Sequence, residues 1–190
     1  MTRTFIVAAL ALGSAAILST GAFAAEAVIG GKLAPYCYQI AETGGDAQAG
    51  VDVCSRALRT DSLGAHDRAA TLVNLGVLQS RLDDHRAALA TYDKALQTDG
   101  ALAEAYVDRS AALIALKDYS AAYESADKGL SLGTRTPELA YYNRAIAEEG
   151  MGNNLAAYHD LRQAVALTPG FTRAADELKR FHVVRASGSA

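Results

Sequence analysis

In the second half of the chain, the apolar positions repeat with a period of 34 to 35 residues. A shift of 35 residues places Tyr106 on Tyr141 and Ala122 on Ala157, and a shift of 34 places Ala88 on Ala122. Within each period, the apolar residues fall at the spacing of amphipathic helices. A period of this length with helical patterning indicates stacked pairs of α-helices.

Each period has small residues where its two helices are predicted to cross, because helices approach closely only where side chains are small. They are Gly76, Ser110 and Ala145 on the first helix of each pair, and Ala88, Ala122 and Ala157 on the second. Polar turns separate the two helices. Asp84, Asp118 and Asn153 in these turns are predicted to cap the second helix, since Asp and Asn side chains accept hydrogen bonds from free backbone N–H groups.

These small, large and turn positions resemble the tetratricopeptide repeat, over three units at about 69–102, 103–137 and 138–171. The resemblance implies an all-α fold, a right-handed α-solenoid of stacked antiparallel helix pairs over residues 65–171. Arg109 and Arg144 depart from the family pattern, which usually has Leu at their position.

The same register extends beyond the three units. Upstream it predicts a degenerate helical pair over 25–64, and downstream a capping helix over 172–185 followed by a flexible tail, 186–190. The capping helix has an apolar stripe backed by charged residues. A helix of this kind is also suited to binding a partner, and the sequence leaves that alternative open.

The first 24 residues have the three parts of a cleavable signal peptide. Arg3 precedes an apolar stretch from Phe5 to Leu18, and Ala22-Phe23-Ala24 fits the small-x-small rule for cleavage before Ala25. A membrane anchor is the alternative, but a span needs about 20 apolar residues. We therefore expect a bacterial protein that is exported to the periplasm or secreted, with no membrane segment after cleavage.

Cys37 and Cys54 are the two cysteines of the chain. Export makes a structural disulfide the expected state, with two free buried thiols as the alternative. Their separation of 17 residues does not fit a Cys-x-x-Cys redox pair. By the family resemblance, the two positions face each other between the helices of the degenerate pair.

Charge and motifs argue against nucleic-acid binding and catalysis. The chain has 18 Lys and Arg against 21 Asp and Glu, with no basic run of the kind that nucleic-acid binding needs. His66, His85, His159 and His182 include no pair at the spacing of a zinc-binding helix. No nucleophile motif or phosphate loop is present either, so we expect no enzyme activity, no metal site and no cofactor.

By the same resemblance, the first helix of each pair lines a concave groove that binds a peptide or helix of a partner. The implied groove residues are Val73, Asn74 and Val77 in the first unit, Val107, Asp108, Ala111 and Ile114 in the second, and Leu139, Tyr142, Asn143 and Ile146 in the third. A groove filled by the protein's own terminal helix, or simply solvated, is the alternative.

The family's chaperone-binding members carry a cationic clamp for a terminal carboxylate at these positions, and this chain has none. Binding of such acidic tails is therefore not expected. The predicted function is that of an exported, non-catalytic protein-binding module, an adaptor or assembly factor in the bacterial envelope, with the partner unidentified. A self-associating structural component of an envelope complex is the alternative.

Overall fold

The chain packs into pairs of helices joined by short turns. The computed structural model describes residues 32–181, in which nine α-helices and no strands are found. The predicted signal peptide, the first residues of the degenerate pair, the end of the capping helix and the tail lie outside these residues. The helices are α1 (Ala34–Thr43), α2 (Ala47–Thr60), α3 (Ala65–Arg81), α4 (His85–Thr98), α5 (Ala103–Ala115), α6 (Tyr119–Ser131), α7 (Pro137–Gly150), α8 (Asn154–Leu167) and α9 (Thr172–Leu178). No helix within this part of the chain is long and apolar enough to cross a bilayer.

The predicted small-residue contacts between paired helices are confirmed. Ala88, Ala122 and Ala157 are each 0% exposed. On the facing helices, Ser110 and Ala145 are buried as well. At Gly76, an added Cβ would lie 2.5 Å from Cε1 of Tyr92. The absence of a side chain at this position therefore lets α3 and α4 pack around the Tyr92 ring.

The turns within the pairs place one residue in the left-handed backbone region. Asp83, Lys117 and Gly152 occupy equivalent places, with φ of 59°, 63° and 85°. The next residue begins the cap: the Asp84 carboxylate accepts from the Ala87 N–H, and Asp118 does the same one unit later. The third prediction is wrong, because the Asn153 side chain makes no capping hydrogen bond.

The N-terminal pair, α1 and α2, is joined by the predicted disulfide. The Cys37 and Cys54 sulfur atoms are bonded at 2.13 Å, and both side chains are fully buried against Leu75 and Leu78 of α3. The Asp61 carboxylate, which follows α2, accepts from the free N–H groups of residues 33 and 34 and so holds the start of α1.

The C-terminal helix α9 covers the apolar end of the last pair. Ala174 is buried with Leu161 and Ala164 of α8, and Phe181 packs against the same cluster. The helix ends at Leu178, earlier than the predicted end at residue 185. Residues 179–181 continue instead as tighter turns with i→i+3 hydrogen bonds.

Candidate functional site

The odd-numbered helices form one layer of the stack and the even-numbered helices form another. Consecutive odd-numbered helices, from α1 to α7, contact each other, whereas the even-numbered helices mainly contact the odd-numbered ones on either side. When neighbouring helices lie closer together in one layer than in the other, the stack curves, and the more closely spaced layer lies on the inner side of the curve. The odd-numbered helices therefore line the inner side, the side on which the groove was predicted.

The predicted groove residues differ in their access to solvent. Ala111 is exposed, and two residues, Val107 and Asn143, are buried. The other eight are half-buried: Val73, Asn74, Val77, Asp108, Ile114, Leu139, Tyr142 and Ile146. Within residues 32–181, the middle of the inner side, on α3 and α5, is therefore open to solvent.

Asn143 contributes to the packing between units. Its Nδ2 donates to the Val107 carbonyl oxygen at 3.1 Å and to Ser110 Oγ at 2.9 Å. Both hydrogens of the amide are thereby used, and they tie α7 to α5. Asn143, one of the implied groove residues, therefore has no amide hydrogen left to donate to a bound peptide.

The C-terminal segment covers one end of the groove. The Tyr142 ring meets the Phe171 ring edge-on at 5.3 Å, and the Arg173 guanidinium lies 5.5 Å from the centre of the Tyr142 ring. The Arg180 guanidinium forms an ion pair with Glu149 of α7. The chain's own terminal segment thus contacts the α7 end, as the alternative interpretation anticipated in part, and leaves α3 and α5 uncovered.

The charged residues of the inner helices α3, α5 and α7 include Arg81, Glu104, Asp108 and Glu149, and three of these four have partners. Arg81 donates to the Ile40 and Ala41 carbonyl oxygens of α1. Glu104 accepts from both the backbone N–H and the side chain of Arg135, and Glu149 pairs with the C-terminal segment as described above. Asp108 has no Lys, Arg or His nitrogen within 4.0 Å among the described residues.

The local environment of Asp108 disfavours its ionised form. Burial, followed by the nearby Glu104 carboxylate, raises the pKa of Asp108 to about 7. In contrast, the pKa of Glu104 is lowered, because the hydrogen bonds from Arg135 outweigh the effect of its own burial. Tyr92, reaching in from α4, is close enough that the Asp108 charge adds to burial in raising the pKa of its hydroxyl.

A cavity of about 370 Å³ lies where α1 meets the start of α3. Its walls include Pro35 and Tyr38 of α1, Leu63, and Ala70 and Asn74 of α3. Asn74 is also a groove residue, so the cavity continues the open inner side toward the N-terminal pair. The pKa of Arg135 is raised mainly by its pairing with Glu104, and to a smaller extent by Tyr38 and Glu42 of α1.

The described histidines have structural surroundings. His66 Nδ1 lies 2.8 Å from a carboxylate oxygen of Asp99 on the surface, and the His159 ring lies edge-on to Tyr158. Among residues 32–181, no three His, Cys, Asp or Glu side chains are grouped as metal ligands would be.

Sequence reasoning missed a repeated ion pair between units. Arg109 Nε of α5 lies 2.7 Å from Asp93 of α4, and one unit later Arg144 Nη1 of α7 lies 2.6 Å from Asp127 of α6. Arg144 also makes two hydrogen bonds to the Asp160 carboxylate of α8. The signal was present in the sequence, because the two arginines that depart from the family pattern are 35 residues apart and Asp93 and Asp127 are 34 apart.

Comparisons with known proteins agree on the kind of fold. The tetratricopeptide-repeat family model matches residues 69–101, which contain α3 and α4. The Arabidopsis OM64 tetratricopeptide-repeat domain is similar at 25% identity and a TM-score of 0.59, covering 62% of this chain and 96% of that one. MamA from Desulfovibrio magneticus RS-1 is similar at 20% identity and a TM-score of 0.64, covering 78% and 82%.

A third similar structure is the second tetratricopeptide-repeat domain of human RPAP3, in complex with the HSP70 peptide SGPTIEEVD. It is 23% identical with a TM-score of 0.57, and the match covers 62% of this chain and 97% of that one. Comparison with curated protein sequences gives no match.

Proposed function

We propose that the inner groove of this chain, whose fold is similar to that of tetratricopeptide-repeat proteins, binds a peptide or helix of a partner protein. The observation that carries the proposal is the open middle of the groove. There Ala111 of α5 is exposed, and Asp108 of α5 and Val77 and Asn74 of α3 are half-buried. Apolar and polar side chains together on an open helical face suit an extended or helical protein segment.

We also propose that the protein acts after export, as an adaptor or assembly factor in a bacterial envelope. Two features support this placement. Residues 1–24 have the pattern of a cleavable signal, and the Cys37–Cys54 disulfide suits an oxidising compartment. Cell fractionation of the native host, with the intact mass of the recovered chain, tests the proposal. A chain that starts at Ala25 in the periplasm or medium is expected, and a full-length chain in the cytoplasm would contradict export.

The groove is tested by two matched variants, Ala111→Arg and Ala90→Arg. Both residues are exposed helical alanines, but Ala111 lies on α5 in the inner layer and Ala90 lies on α4. Arginine at position 111 fills the groove with a long side chain close to Asp108. Affinity purification from the native host, followed by mass spectrometry, should show partners that are lost with Ala111→Arg and kept with Ala90→Arg.

Circular dichroism should show equal helix content for both variants, because neither position is buried. Partners retained equally by the two variants would contradict groove binding. A native mass that rises with concentration, and is lowered by Ala111→Arg alone, would identify a second copy of this chain as the groove ligand.

A further inference from the structure

The middle of the groove has a single unmatched charge among residues 32–181. Arg81, Glu104 and Glu149 are all held by partners within the protein, but the Asp108 carboxylate is not. A half-buried carboxylate without a cation is unfavourable in the folded protein, since burial removes water that is not replaced by an opposite charge. Proteins commonly retain unfavourable charges of this kind at binding sites.

The surroundings of Asp108 suit the stem of a long cationic side chain. Ala111 lies about one turn further along α5 and is exposed, and α3, which contacts α5, carries the half-buried Val77. Lysine and arginine side chains bury their methylene groups along apolar surfaces while their charged ends reach polar partners.

Building on the proposed groove function, we propose that the partner segment places a lysine or arginine side chain against the Asp108 carboxylate. The cation supplies the charge that the groove lacks and shifts Asp108 toward its ionised form. An acidic segment is disfavoured at the same place, because the unpaired Asp108 carboxylate repels it. The preference is thus opposite in sign to that of the RPAP3 domain whose structure contains an HSP70 peptide ending in EEVD.

The test begins with phage-displayed random dodecapeptides selected on the folded wild-type protein. Peptides that share a lysine or arginine in one register, next to apolar residues, are expected. One selected peptide is then synthesised with its cation, and again with norleucine or citrulline in place of Lys or Arg. Calorimetry measures both peptides on the wild type, on Asp108→Asn, and on the exposed control Glu124→Gln of α6.

Removing the cation from the peptide should weaken binding to the wild type and to Glu124→Gln by about tenfold, the range of a partly desolvated ion pair. Removing the cation should weaken binding to Asp108→Asn by less than about twofold, because the carboxylate with which the cation pairs is already absent. Equal losses on all three proteins would overturn the inference.

The remaining outcomes separate this inference from the groove function. Selected peptides that share no cation, yet are blocked by Ala111→Arg, would overturn the pairing with Asp108 and leave the groove function standing. Failure to select any peptide, or peptides that bind equally to Ala111→Arg, would overturn both.

Discussion

Asp108 and Asn143 occupy the same position of successive repeats, 35 residues apart, and yet have different roles. The Asn143 amide donates to the Val107 carbonyl and ties two units together. An ionised carboxylate has no hydrogen to donate, so Asp108 cannot make the equivalent bond. The repeat pattern thus located both residues, but only their chemistry distinguishes the side chain that ties two units together from the one that makes no such bond.

Asp108→Asn should stabilise the protein, and more at high pH than at low pH. The pKa of Asp108 is about 7 in the folded protein against 3.8 as its ordinary value, so the folded state binds this proton more tightly. Ionisation of Asp108 therefore does not lower the unfolding free energy below about pH 4. The lowering grows with pH until the pH passes about 7. We expect the gain in unfolding free energy to be about 2–3 kcal/mol larger at about pH 8 than at about pH 5.

Urea unfolding at the two pH values measures this difference. The groups that face Asp108 are Glu104 on its own helix and Tyr92 from α4, while Arg81 of α3 acts on Tyr92. The exposed carboxylate of Glu124, changed to Gln, serves as the control and should show little pH-dependent gain. A destabilised Asp108→Asn at high pH would indicate that the carboxylate holds the fold together rather than awaiting a ligand.

The helix pairs and their contacts could be predicted from the sequence because small residues recur at a fixed period. Ala88, Ala122 and Ala157 mark the close contacts between paired helices, although other positions of the repeat differ from unit to unit. The end of α9 was not predictable in the same way, since no repeat follows it to fix the register. The burial of Asn143 was missed because it depends on a carbonyl group in a neighbouring unit, Val107, which a repeat alignment does not show.

Removal of the disulfide should loosen the N-terminal pair and leave the rest of the stack intact. In the Cys37→Ala, Cys54→Ala double variant, α1 and α2 lose the constraint on a loop of 17 residues, worth about 3 kcal/mol. Hydrogen exchange should show faster exchange in α1 and α2 with little change in α7 and α8. Reductant should reproduce this in the wild type and have no effect on the double variant. An equal loss of exchange protection along the whole stack would contradict a local role of the disulfide.

The two repeated arginines should differ in their contribution to stability. Arg144 bonds a carboxylate, Asp160, that is 8% exposed, so Arg144→Ala leaves a buried charge unpaired and should cost about 3 kcal/mol. Arg109 pairs with Asp93, whose side chain is 43% exposed, so Arg109→Ala should cost about 1 kcal/mol. Urea unfolding measures both.

A second measurement separates charge from packing at Arg144. The Arg144→Met, Asp160→Leu double variant replaces both charges by apolar groups and should recover most of the loss, since no unpaired charge remains. The same variant removes two opposing influences on the pKa of Glu148, which is raised to about 7 by burial and then by Asp160 and is lowered by Arg144. An Arg109→Ala variant as unstable as Arg144→Ala would contradict the ranking.

At the scale of the whole molecule, the helices of residues 32–181 contact only their close neighbours in the stack. α9 packs on α8, whereas α5, α6, α7 and α8 lie between α9 and the pair formed by α3 and α4. In such an arrangement, stability is approximately a sum over units and their interfaces, so damage at one end decays along the chain. Because the effect of a substitution decays along the stack, substitutions in the terminal helices should leave the groove on α3 and α5 intact.

Ala174→Asp tests this locality from the C-terminal end. Ala174 is 0% exposed in the cluster with Leu161 and Ala164, so the new carboxylate would be buried without a partner and should detach α9. Exchange protection should fall strongly in α8, less in α7 and not in α3 or α4. The control is Ala166→Asp at an exposed position of α8, which should leave protection unchanged throughout. Loss of protection in α3 and α4 equal to that in α8 would mean that the stack unfolds as one cooperative body, so that variants at either end would alter the groove as well.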